Sequence, residues 1–297
     1  MKKTLLYCLF LSGLAKEIHA QTDTIYFTLN KQSNVCIKAR INNSDTLTLM
    51  FHTASTGITL TQEAVDKKLS LQSEKSHSVQ TWGGNAEAKY SEGNTFIINN
   101  LKWDKQTIYI NENSGAGTDG KFGYDFFENK IIEIDYNKNW ILVRAKLPKI
   151  SRKYHKMKLG IKRGTWYIAG TLNIGKTVYQ DSFMFHTGYG GAILLDPKIA
   201  EQYDMKAQLK TISTSELRDS YSNIIKIETK LLPQFTIGNT TLKDVPLSFA
   251  AQSSAIQMKV FGNDLLKRFN VIFDFKKQDI YLKLNDLRDM AYSIKKN

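Results

Sequence analysis

Leu49-Met50-Phe51-His52-Thr53-Ala54-Ser55 and Phe183-Met184-Phe185-His186-Thr187-Gly188-Tyr189 are near-copies of one another. Each is an apolar run ending in His-Thr and a small residue. A short polar or glycine-bearing turn follows, then a second apolar run, Ile58 to Leu60 in one copy and Ala192 to Leu195 in the other. Self-similarity of this kind decides architecture before any single motif is interpreted. The likeness continues downstream, where Lys121-Phe122-Gly123-Tyr124-Asp125-Phe126-Phe127 matches Val260-Phe261-Gly262-Asn263-Asp264-Leu265-Leu266. A closing apolar strand then ends at Asp135 in one copy and Asp274 in the other, 12 residues after Gly123 and Gly262 respectively. From histidine to glycine the step is 71 residues in the first copy and 76 in the second. Duplication with small loop differences accounts for the whole pattern.

An apolar strand ending in a polar-Thr-small triplet, followed at this distance by an apolar-apolar-Gly segment and a terminal strand, resembles one lobe of the pepsin-like and retropepsin-like aspartic proteases. Two such lobes in tandem resemble the bilobal members of that family, in the compact form of bacterial homologues. The resemblance implies an all-β, bilobal pepsin-like acid-protease fold, with two duplicated β-barrel-like lobes and short helices. It divides the chain into a signal peptide at 1–20, an N-terminal lobe at 21–148 and a C-terminal lobe at 149–297. His52 and His186 then occupy the positions where the family carries its catalytic aspartates. The resemblance makes Thr53 and Thr187 the cross-lobe hydrogen-bonding positions and counts both, with Gly188, among the ligand-binding ones.

Composition narrows the setting. Lys2 and Lys3, an apolar run from Leu5 to Ala15 and Ile18-His19-Ala20 read as a secretory signal cleaved before Gln21. The run is too short to span a bilayer, and the expectation is an exported protein, periplasmic or secreted, without a stable membrane anchor. Without residues 1–20, which hold three lysines and one glutamate, the formal net charge falls from +13 to +11. Only Cys36 then remains, which excludes an intramolecular disulfide and leaves a buried structural thiol. The positive balance raises the question of nucleic acid, but no zinc-finger spacing, helix-turn-helix pattern or RNA-binding aromatic signature accompanies it, and no nucleic-acid partner is expected. The densest basic cluster, Lys146, Lys149, Arg152, Lys153, Lys156 and Lys158 around Pro148, reads as a solvated linker between the lobes.

Locally the pattern is mostly β. Strands are expected over 35–41 and 46–51 around Asn42-Asn43-Ser44-Asp45, and over 166–172 and 178–185 around Asn173-Ile174-Gly175-Lys176. Short helices are expected over 62–69 and 197–203, capped by Thr61 and Asp196, with Pro197 at a first helical position. Between Ser73 and Phe96 a polar, alternating stretch surrounds Trp82-Gly83-Gly84-Asn85 and reads as a β-hairpin. By resemblance it is the flap over the cleft, with Trp82, Gly83 and Gly84 as ligand contacts at its tip. The stretch 213–223 of the second copy is polar, lacks a glycine turn and need not be a flap. Asp125 and Asp264 are expected to cap the short helices that they open. Asp135 and Asp274 are expected to stabilise turns or lie at the surface.

Histidine at both dyad positions changes the chemistry. Paired aspartates share one proton, so that one accepts from water while the other donates to the scissile carbonyl. Imidazole is longer, offers one nitrogen at each position and is neutral or cationic. The leading reading is a pseudoprotease that binds a peptide or extended protein segment in the interlobe cleft without cutting it, needing no cofactor. One alternative is a hydrolase that uses the histidine pair. A serine nucleophile has no support, because no Gly-x-Ser-x-Gly elbow occurs. The other alternative is a metal site built from His52, His186 and, on the rising arm of the hairpin, His77; His155 lies in the basic linker. Ligand binding is expected to respond at about pH 6–7, where at least one imidazole titrates.

Overall fold

The computed structural model describes residues 22–69, 71, 75–81, 84–162, 164–218, 224–251 and 257–294. The two copies build the same sheet motif. In the first, the strand Leu47–His52 runs parallel to Gly120–Gly123, placing Phe51 opposite Phe122 and His52 opposite Gly123. Ile58–Thr61 returns antiparallel to Gly120–Gly123 and parallel to Leu101–Asn111. In the second, Thr177–Phe185 runs parallel to Val260–Phe261 with Phe185 opposite Phe261. Ile193–Leu195 lies antiparallel to that pair's short strand and parallel to Thr240–Ala250. Parallel neighbours need a long crossover, and the long stretches between histidine and glycine supply it.

Among the described residues the strands form a thirteen-stranded and an eight-stranded sheet. The larger one is not confined to the first half of the chain. Phe269–Asp274 pairs with Ile131–Asp135, and Asp279–Leu284 and His155–Lys158 extend the same sheet. Strand alternation puts phenylalanines into both lobe interiors, Phe51, Phe96 and Phe122 in one and Phe183, Phe185, Phe235 and Phe261 in the other, and the short helix Asp125–Phe127 adds Phe127 to the first; all are fully buried. Cys36 is buried as expected, with its thiol turned to the Asn34 carbonyl.

The glycines of the apolar-apolar-Gly segments have a steric cause. A Cβ on Gly123 would lie 2.3 Å from the Ser55 carbonyl oxygen, and one on Gly262 would lie 2.3 Å from that of Gly191. The turn after each histidine packs directly on the glycine backbone, so any side chain there would displace it.

The expected helices form at Gln62–Lys68 and Pro197–Gln202. Thr61 Oγ1 accepts from the Ala64 amide and Asp196 Oδ1 from the Lys198 amide. The capping roles of Asp125 and Asp264 need correction. Asp125 accepts the Gly57 amide, at 3.0 Å to each carboxylate oxygen. Asp264 accepts the Ser293 amide at 2.7 Å and pairs with Lys267 at 2.8 Å, both side chains being buried. In the second lobe the first helical amides are already satisfied, since Asn263 N–H donates to the Tyr189 carbonyl and Asp264 N–H to that of Gly191. The aspartate is left free to bind elsewhere. Asp135 and Asp274 do stabilise turns, accepting from Asn137 and Lys138 and from Lys277, but both are buried.

The six basic residues of the segment are exposed as expected, yet not all of the segment is a linker. Its end is the strand His155–Lys158, where Lys156 and Lys158 both pair with the buried carboxylate of Asp279, at 2.7 and 2.9 Å. Sheet pairing at the lobe boundary overrides what charge composition alone suggests.

Candidate functional site

Each histidine stands where an apolar strand meets a tight turn. Phe51 and Phe185 anchor the strand ends in their cores, and in each turn the third residue after the histidine donates its N–H back to the histidine carbonyl: Ser55 to His52 at 3.3 Å, Tyr189 to His186 at 3.2 Å. The two turns are locked face to face. Thr53 N–H donates to Thr187 Oγ1 (3.0 Å) and Thr187 N–H to Thr53 Oγ1 (3.1 Å). The hydroxyls in turn donate across the boundary, Thr53 to the Phe185 carbonyl (2.6 Å) and Thr187 to the Phe51 carbonyl (2.7 Å). Both threonines are fully buried. Their amides and hydroxyls are engaged in holding the two turns together.

This lock brings the imidazoles together, with ring centroids 4.7 Å apart and planes inclined at 58°. The pair is not symmetric. A Cβ on Gly188 would lie 2.2 Å from His52 Nε2 and 2.9 Å from His186 Cε1, so the His52 ring fills the space over Gly188. Position 54 of the first copy is alanine. Gly188 is thus required by the histidine itself.

Backbone amides decide the protonation pattern. Ala54 N–H donates to His52 Nδ1 (3.2 Å) and Gly188 N–H to His186 Nδ1 (3.0 Å). An N–H group can only donate, so each Nδ1 is the bare acceptor and the proton of each neutral ring sits on Nε2. Both rings are held below the ordinary histidine range. For His52 burial is the main cause, followed by the charges of His186 and Lys121. His186 is pushed down to about 4 by burial and then by Lys121. Titration of an imidazole at pH 6–7, expected from the residue type alone, is therefore corrected: desolvation keeps both rings neutral there.

Lys121 was missed by motif reading, although a signal existed. The matching residue of the second copy is Val260, so a lysine breaks an otherwise apolar strand segment. In register Lys121 lies opposite Met50 and Thr59, which puts it on the face of the sheet that carries His52. Burial lowers its basicity, and among the described residues no carboxylate pairs with it. Asn263 was also missed. It is fully buried, and its Nδ2 donates to the Thr187 carbonyl (2.6 Å) and to Asn34 Oδ1 (2.8 Å), steadying the second turn.

The first hairpin forms from Lys75–Thr81 and Gly84–Ile98, with Thr81 opposite Gly84. Trp82 and Gly83 lie outside the described residues. Gly84 opens the second arm. The side chain of His77, opposite Ala88 in the ladder, likewise lies outside what is described. The second copy has a hairpin in the corresponding place, Thr211–Arg218 with Ile224–Ile237, despite its lack of a glycine turn. His155 is packed against Gly238. Among the described residues no group of three His, Cys, Asp or Glu side chains is placed to hold a metal ion. A cavity of about 410 Å³ lined by Asp23, Thr24, Ile25, Asn99, Asn100 and Leu101 shares no residue with the histidine pair.

Comparison with known proteins agrees with this geometry. Residues 37–126 match the family model described as aspartyl protease. Among solved structures, the aspartic proteinase from Irpex lacteus superposes with a TM-score of 0.60 at 13% identity, covering 92% of this chain and 100% of that one. No curated protein matches the chain by sequence. Residues 37–126 are thus similar to the aspartyl protease family, and nearly the whole chain has a pepsin-like fold.

Proposed function

We propose that the chain is an exported, catalytically inactive homologue of the aspartic proteases, with lobes at 21–148 and 149–297, that holds a peptide or extended protein segment in the cleft between them. The observation that carries this reading is the engagement of both Nδ1 atoms by backbone amides. Each ring keeps its proton on Nε2 and has no free lone pair, so neither can take a proton from water. General-base hydrolysis needs such an acceptor within reach of the attacking water. The same polarity disfavours the metal reading, because coordination through Nε2 would move the ring proton to Nδ1, against an N–H donor. Export is supported by the basic and apolar start of the chain. Among the described residues no helix is long and apolar enough to cross a membrane.

The test is an assay of the purified protein on denatured protein substrate from acid to neutral pH, with metal analysis of the same untagged preparation. No cleavage and well under one equivalent of metal are expected. Cleavage abolished by His52→Ala would establish the histidine-pair hydrolase instead, and stoichiometric zinc or copper lost in His52→Ala or His186→Ala would establish the metal protein.

A further inference from the structure

The histidine pair offers donors and no free acceptor. His52 and His186 each turn an Nε2–H away from the backbone that engages Nδ1, and neither Nε2 has a hydrogen-bond partner among the described residues. Lys121, on the same sheet face as His52, adds an ammonium group close enough for its charge to act on both rings. No carboxylate among the described residues pairs with that lysine or supports either imidazole. Lys121 is half-buried, and its ammonium has no protein acceptor among the described residues. The matching residue in the second copy, Val260, is fully buried and apolar, so the duplicated framework does not require a cation there.

We infer that this site is a carboxylate seat, in which the Nε2–H groups of His52 and His186 and the ammonium of Lys121 together hold one carboxylate of the bound segment. The inference rests on the reading of the cleft as a peptide site. It reverses the polarity expected of an acid pair, which repels anions: here the local donors and the net charge of +11 without residues 1–20 both favour an acidic ligand. The carboxylate can come from an acidic side chain or from a free C-terminus.

Two measurements on the purified protein test it. The first is titration with sodium acetate, followed by the imidazole nitrogen resonances of ¹⁵N-histidine-labelled protein, in the wild type, Lys121→Met and Lys121→Arg. Acetate is expected to shift the Nε2 signals of His52 and His186, with the effect lost in Lys121→Met and restored in Lys121→Arg. Absence of the shift, or an equal shift in a folded Lys121→Met, would overturn the inference. The second compares three otherwise identical hexapeptides: one with a central glutamate and blocked ends, one with glutamine and a free C-terminus, one with glutamine and blocked ends. At least one acidic peptide is expected to bind about tenfold more tightly than the neutral one, and which of the two does so identifies the source of the carboxylate. Equal binding of all three would refute the carboxylate seat while leaving the peptide cleft standing. An acetate response with no peptide bound would leave the seat standing and refute the peptide cleft.

Discussion

At the residue scale, the centre of this molecule is defined by contacts of single side chains. Gly188 is the clearest case, since a methyl group there would lie 2.2 Å from His52 Nε2. Gly188→Ala is expected to destabilise the protein by about 1–3 kcal/mol, the usual cost of forcing volume into a packed site. The same change in a His52→Ala background should cost much less, because the ring that fills the space is gone. Urea unfolding of the four proteins of this cycle checks it, and equal costs in both backgrounds would show that the ring does not set the requirement for glycine. Lys121 shows what motif reading passes over: it stands in the first copy where Val260 stands in the second, yet its meaning depends on which sheet face it occupies.

At the element scale, two turns from separate halves of the chain are bound through Thr53 and Thr187, whose four cross-boundary hydrogen bonds are all buried. Thr53→Val leaves the Thr187 amide and the Phe185 carbonyl without partners, at about 1–3 kcal/mol for each buried group left unsatisfied. Thr187→Val should behave alike, and the double variant should cost less than the two single costs added, since both remove the same bonded unit. Chemical denaturation decides this; strict additivity would mean that the two threonines act independently. The elements themselves were largely legible. Strands, turns and the two capped helices stand within a residue or two of their expected places, because alternation, turn residues and caps are local signals. The roles of Asp125 and Asp264 were not legible, because their partners Gly57 and Ser293 lie 68 and 29 residues away.

At the scale of the whole molecule, the buried imidazoles tie stability to pH. Both are held below the ordinary histidine range, so the unfolded chain binds more protons than the folded one in the window beneath about 6.5. Stability is then full above that value and falls as pH drops towards about 4, the position of His186. His186 alone should contribute a loss on the order of 2–3 kcal/mol across this window. Denaturation midpoints of the wild type and of a His52→Gln, His186→Gln variant, measured at pH 7, 5.5 and 4, test the sign and the size. The variant should lose less on acidification, and parallel pH dependence in both would remove the histidines as the cause.

Local patterning along the chain was enough for the duplication, the mostly β character, the helix caps and the repeated His-Thr segments. Each is carried by residues near one another in the chain or by a repeat visible along it. Only the tertiary structure decided what those histidines can do. Their 4.7 Å approach, the threonine lock and the placement of Lys121 on the sheet face of His52 depend on strand register and on contacts between distant segments. The bare Nδ1 atoms needed the fold as well. The amides that engage them lie only two residues away, but they point at the rings because the locked turns hold them there.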